Sequence, residues 1–296
     1  MKRHLALLWT IPAMVGMLVV GCNKNTNGPE EDIAPPGVTD ERSAIVYQAV
    51  NDEFVKNDEE TFADQEVQPT DYGLLGKVNA EIIPLRWGRF ITSVTRTVTV
   101  TIEPGDTIAI AHVHKIINGV LKIRAINTNG DTILVEKPFS DESDRNVVFR
   151  RVLRGPRFWR NWIPVATSLV AGGTPNGDIS ITQLQFITRR DTLTITDPLN
   201  FYLRYRWLRS LYGNRDLFHR DRDVVELNSR DSVTVRVTLT STSPDTDLVA
   251  LRFGFNSFFK SRAKMFLVSQ NGNVKVYERT FYVHPRPGHF HAAVEA

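Results

Sequence analysis

His112-Val113-His114 places two imidazoles at i and i+2 within a run of alternating apolar residues. On a β-strand both point to the same side, and together they could ligate a metal ion. His289 and His291, in "PRPGHFHAA", could supply two further ligands, so His112, His114, His289 and His291 form the metal-ligand set open to this chain. Asn118-Gly119 carries the signal of a two-residue hairpin turn. Such a turn would set His114 opposite Ile123 and His112 opposite Ala125, on the more apolar face, and leave Lys115 and Arg124 toward solvent. On that face a packed, hydrogen-bonded histidine pair is the expected reading, and metal binding is the alternative.

A second chemistry is carried by arginine interleaved with aromatic residues. "FRRVLRGPRFWRNW" (149–162) contains Arg154, Arg157, Trp159, Arg160 and Trp162, and the stretch from 201 to 223 contains Arg204, Arg206 and Trp207. Guanidinium groups and ring faces recognise anionic sugars, lipid headgroups or phosphates through charge and stacking. The expected reading is internal, in which the acidic N-terminal part of the chain docks on these arginines and the rings pack between elements, and an external anionic ligand is the alternative.

Motifs of catalysis are absent from the sequence. It has no G-x-S-x-G elbow, H-E-x-x-H, phosphate loop or dinucleotide fingerprint. Acid pairs such as Asp58-Glu59-Glu60 lie in a charge run, the pattern of a solvated face. The chain is therefore expected not to be an enzyme and to need no cofactor, with an envelope hydrolase the least favoured reading.

These residues must be positioned by strands. In "SVTRTVTVTI" (93–102) Val94, Val98, Val100 and Ile102 share one face and threonines the other; "SVTVRVTLTS" (232–241) repeats the pattern. A turn mark recurs as "GDTIAI" at 105, "GDTILV" at 130, "RDTLTI" at 190 and "RDSVTV" at 230. Aspartate favours the turn, and the Thr or Ser before alternating branched residues opens the strand. Many short strands with such turns predict a mainly β fold of immunoglobulin-like antiparallel β-sandwich modules. Ahead of them Asp40 is a plausible N-cap for an amphipathic helix over roughly 40–56, with Val46, Val50 and Phe54 recurring every four residues and Ile45 and Ala49 beside them.

Charge divides the chain. Residues 22–76 hold three basic and thirteen acidic residues, whereas 77–296 hold 31 basic and 20 acidic, so the two parts attract one another. Residues 22–38 are polar and rich in Pro and Gly, the composition of a flexible tether.

The only cysteine, Cys22, closes an apolar run that begins after Lys2 and Arg3 and is interrupted by Pro12. That run is too short and broken for a comfortable membrane span and has the form of a secretory signal. Val19-Val20-Gly21-Cys22 resembles the lipobox of bacterial lipoproteins. The resemblance implies that 1–21 are cut away, that Cys22 carries lipid, and that Asn23 in the next position favours the outer membrane. Two or three acyl chains hold far more firmly than one, since each buried methylene contributes about 0.8 kcal/mol. A lone cysteine also excludes a disulfide framework and thiolate metal sites.

The expected organisation is a signal peptide at 1–21, a tether at 22–38, an acidic helical segment at 39–76, a β-sandwich at 77–198, an Arg/aromatic connector at 199–223 and a second β-sandwich at 224–296. The last ends within an apparent strand, "HFHAAVEA", and is expected to be truncated. The expected role is binding or structural, at the cell envelope, with the membrane reached through lipid. An envelope glycan, an anionic lipid or a partner protein is the expected ligand, and nucleic acid is not.

Overall fold

The computed structural model describes residues 34–52, 54–56, 82–204, 230–244, 246–247, 249–255, 261–283 and 290–296. The side chains of 82–87, 204, 252–255, 261–262, 290–293 and 295 lie outside that description. Cys22, Arg206, Trp207 and His289 fall outside the described residues. From Pro35 onward the chain is one compact unit.

The fold is mainly β, with antiparallel sheets and one short helix. Helix α1 (Glu41–Asn51) starts where its N-cap was expected: Asp40 Oδ1 accepts from the Ser43 N–H at 2.7 Å, and Ser43 Oγ accepts from the Asp40 N–H at 2.9 Å. The hydrogen bond from the Ser43 N–H holds the Asp40 carboxyl below its ordinary range. The helix closes at Asp52, whose Oδ1 accepts from the N–H groups of Phe54 and Val55 and restarts a helical turn at 54–56. Its buried stripe is Ala44, Ile45 and Ala49, one residue round from the predicted Val46–Val50 line. Among the described residues, no helix is long and apolar enough to cross a membrane.

Three strands of 20 or 21 residues, β1 (Ile82–Ile102), β2 (Ile108–Asn127) and β3 (Thr132–Arg151), form a meander. The sheet continues through β4 (Trp162–Ser168) to β8 (Tyr202–Arg204), and β5 (Ala171–Gly173) also pairs with β3. Short strands were expected here, yet each of the three is several times the usual length of about 5–6 residues. The predicted turn marks hold: Gly105 and Gly130 adopt φ of +97° and +86° between β1–β2 and β2–β3.

The Asn118-Gly119 hairpin does not form. Both residues lie mid-strand in β2, where Gly119 pairs with Ile91 on one side and Phe139 on the other. A Cβ on Gly119 would run into the Phe90 carbonyl and come within 2.6 Å of the Phe139 ring. The glycine answers a close approach, not a turn. Beside it β1 carries an irregularity between Ile91 and Ser93, and Thr92 Oγ1 donates to the Asn118 carbonyl at 3.2 Å.

Helix α1 covers the β1–β4 sheet. Ile45, Ala49 and Val55 pack on Ala109, Ala111 and Val113 of β2, Val147 and Phe149 of β3 and Trp162 of β4, with Val98, Val100 and Ile102 alongside. The expected faces of β2 are therefore exchanged. Val113 and Lys115 are buried, and Lys115 Nζ donates to the Val55 carbonyl. His112 and His114 look out from the less buried face. The side of the sheet that the helix chooses decides this, and no register within β2 could reveal it.

The remaining strands are β6 (Ile179–Ile187), β7 (Thr192–Ile195), β9 (Ser232–Ser241), β10 (Ala250–Phe255), β11 (Ser261–Lys264), β12 (Phe266–Asn271), β13 (Val274–Tyr282) and β14 (Phe290–Glu295). They form a five-stranded sheet, β12-β13-β9-β6-β7, and a three-stranded sheet, β11-β10-β14. One core joins the two sheets: Val235, Val237, Leu239 and Tyr277 meet Val249, Leu251 and Met265, with Leu184, Phe186 and Val294 packed against them. Because β6 pairs with β9 from Ile179↔Ser241 to Ile187↔Thr234, the sheet crosses the boundary expected at 198. Strands β6 and β7 share their sheet with the C-terminal strands, a non-local pairing invisible to composition.

Candidate binding cleft

The internal docking expected of the first Arg/aromatic segment is visible, and one carboxylate organises it. Glu41, in the first turn of α1, accepts from Arg151 Nη1 and Asn161 Nδ2 at 2.9 Å each, from Trp162 Nε1 at 3.2 Å, and from Arg151 Nη2. The Arg151 guanidinium also lies 4.7 Å from the Trp162 ring centroid. Burial works against the ionised form of Glu41, but the bonds from Asn161 and Trp162 and the Arg151 charge outweigh it. The carboxyl is held below its ordinary range. Arg42 adds a bond from Nη1 to the Val100 carbonyl at 2.7 Å, fixing the helix to β1.

About two turns on, Gln48 Nε2 donates to the carbonyls of Trp159 and Trp162 at 3.2 and 3.1 Å. These carbonyls are the polar groups of a short 3-10 turn, Phe158–Arg160, and of the start of β4. Phe158 and Trp159 meet edge to face, with centroids 5.1 Å apart. Between this turn and α1 lies an open cleft of about 360 Å³, walled by Pro35, Val38, Tyr47, Gln48, Trp159 and Arg160, with Trp162 also contributing. Pro35 and Val38 belong to the end of the expected tether, yet Val38 is buried and its N–H donates to the Pro35 carbonyl at 3.1 Å. The folded body begins there.

Of the predicted ligand residues, Trp159, Arg160 and Trp162 come together at the cleft. Arg157 is exposed at the N-cap of the 3-10 turn, and Arg154 is exposed on the loop after β3. Arg204 ends β8, paired with Ala166 of β4, so the second Arg/aromatic segment starts on a strand beside the one that begins at Trp162. Tyr47, Gln48 and Glu41 were missed. Glu41 could have been found from its place just after the N-cap, where an acid near the helix N-terminus is also within reach of a basic docking surface.

The histidines have other company. His112 pairs with Asn146 and His114 with Asp144 across β2–β3. His112 Nδ1 lies 2.9 Å from Asn146 Oδ1, and His112 Nε2 and His114 Nδ1 lie 3.1 and 2.9 Å from the same oxygen, Asp144 Oδ1. Asn146 Nδ2 donates in turn to the Leu199 carbonyl at 3.2 Å, which fixes the amide orientation. The pair is hydrogen-bonded, as expected, but on the opposite face from the one expected. Among the described residues, no group of three His, Cys, Asp or Glu side chains is arranged to hold a metal ion. Of the second pair, the His291 backbone lies in β14, paired with Gly254 of β10.

No family model matches this chain, and neither does any curated protein or solved structure.

Proposed function

We propose that this chain is a lipid-anchored protein of the bacterial cell envelope, probing its surroundings with the cleft between α1 and the Phe158–Arg160 turn. The observation that carries the reading is the cleft itself: two tryptophans and an arginine of the Arg/aromatic segment converge with Tyr47 and Gln48 into an open recess. Ligand sites of this kind are concave and mainly apolar, with a few placed polar groups. Support for the anchor comes from the lipobox-like Val19-Val20-Gly21-Cys22 and from the polar stretch after it, which ends where Pro35 joins the folded body. On this reading Cys22 carries acyl chains, the protein sits at the outer membrane, and it binds an envelope component without transforming it. We read the two sheets that share the C-terminal core as an immunoglobulin-like sandwich, a common frame for surface proteins.

Two measurements test the reading. A fatty-acid label incorporated by the wild type is expected to vanish in Cys22→Ala; retention of the label would remove the anchor. Co-sedimentation of the purified full chain with isolated envelopes is expected to fall in Trp159→Ala. Unchanged co-sedimentation would remove the cleft from the function.

A further inference from the structure

Resting on the cleft as the binding site, we propose that its ligand is an uncharged pyranose ring of a glycan, gripped by acceptor and hydroxyl groups and not by cations. The argument starts from Gln48. Both of its N–H bonds go to carbonyl oxygens, those of Trp159 and Trp162, and a carbonyl only accepts. The amide orientation is thereby fixed, and the group that Gln48 has left for a ligand is Oε1, an acceptor. An acceptor held against a backbone scaffold repels a carboxylate or phosphate and calls for a hydroxyl or amide N–H.

Tyr47 stands next to it on the cleft wall, 40 % exposed, and its hydroxyl can donate or accept. Trp159 supplies an indole surface, and Pro35 and Val38 supply aliphatic surface. Arg160, also on the cleft wall, already makes an interaction within the protein. A ring with hydroxyls on its edge and C–H bonds on its faces satisfies all of these demands at once. The volume, about 360 Å³, lies at the small end of ligand pockets, which run to about 300–1,000 Å³. It suits one sugar ring, with the chain continuing through the open side.

The test is calorimetric titration of the full chain in detergent with the methyl pyranosides of glucose, galactose, mannose and N-acetylglucosamine. Methyl glucuronide and inorganic phosphate form the anionic arm, and adenosine the aromatic arm. We expect saturable binding of at least one neutral pyranoside at a Kd on the order of millimolar, lost in Trp159→Ala. Tyr47→Phe, which removes the phenolic oxygen and keeps the ring, is expected to weaken it about tenfold. Tighter binding of an oligosaccharide bearing that sugar would assign a glycan chain, and equal binding a free sugar. Saturable binding of phosphate, glucuronide or adenosine alone, lost in Trp159→Ala, would overturn the pyranose and leave the cleft as the binding site. No binding by any probe, together with unchanged envelope co-sedimentation in Trp159→Ala, would overturn both.

Discussion

The Glu41 cluster and the Lys275 cluster both bring charge to the edge of an apolar core, but they finish differently. In the C-terminal pair of sheets, Lys275 Nζ lies 2.9 Å from Asp247 Oδ2 and donates to the Ser243 carbonyl at 2.8 Å; Ser241 Oγ donates to Asp247 Oδ1 at 2.8 Å. The Asp247 N–H donates to the Tyr277 hydroxyl at 2.8 Å, and burial, reinforced by the Asp247 charge, pushes that phenol up to about 12. Lys275 is fully buried. Every polar atom of the cluster looks inward, so it can hold the loop between β9 and β10 and nothing else. In the Glu41 cluster the carboxylate is met by Arg151, Asn161 and Trp162 while Arg151 Nε is buried without a hydrogen-bond partner among the described residues, and about two helical turns further on the same docking leaves Gln48 and Tyr47 lining an open recess. Closure marks a structural cluster, and unspent hydrogen-bonding capacity beside apolar walls marks a binding one.

Mutations should separate the two. The largest effect is expected from Asp247→Ala, which leaves a buried ammonium without its counter-charge and should cost about 3–5 kcal/mol in chemical denaturation. A double variant, Asp247→Leu with Lys275→Met, should recover much of that loss, because the desolvation cost leaves with the charges. Next is Gly119→Ala, which forces a Cβ against Phe139 and the Phe90 carbonyl and should cost about 1–3 kcal/mol without altering the cleft.

Glu41→Gln should cost about 1–3 kcal/mol, since it keeps one acceptor but loses the charge that faces Arg151. Its signature is in pH. The folded carboxyl titrates below its ordinary 4.5, so its contribution is complete above that value and is lost as pH falls through the lower, folded one. The stability difference between wild type and Glu41→Gln should therefore shrink on acidification from neutral pH and be constant above about pH 6. A difference that grew in acid would contradict the assigned pairing.

The smallest effect belongs to His112→Ala. With its side chain 42 % exposed and its partner Asp144 shared with His114, it should shift stability by about 0–1 kcal/mol.

Sequence legibility followed the range of the interactions. The Asp40 cap and the turns at Gly105, Gly130, Arg190 and Arg230 are set by residues a few positions apart, and all were readable; β3, β7 and β9 begin on the predicted Thr132, Thr192 and Ser232. The face of β2 was not readable, because α1, more than 50 residues upstream, selects it. Nor was the role of Asn118-Gly119, whose neighbour Phe139 comes from another strand. In the cleft, the tryptophans and Arg160 announced themselves by composition. Tyr47 and Gln48 looked like ordinary helix-surface residues until the helix was docked.

The claim that the cleft binds and the cores only support it rests most directly on one comparison: envelope co-sedimentation of Trp159→Ala and Gly119→Ala, each scored beside its denaturation midpoint. The account predicts a double dissociation, in which Trp159→Ala loses binding and keeps stability while Gly119→Ala loses stability and keeps binding. If binding simply followed stability in both variants, the cleft would be packing and the account would be wrong.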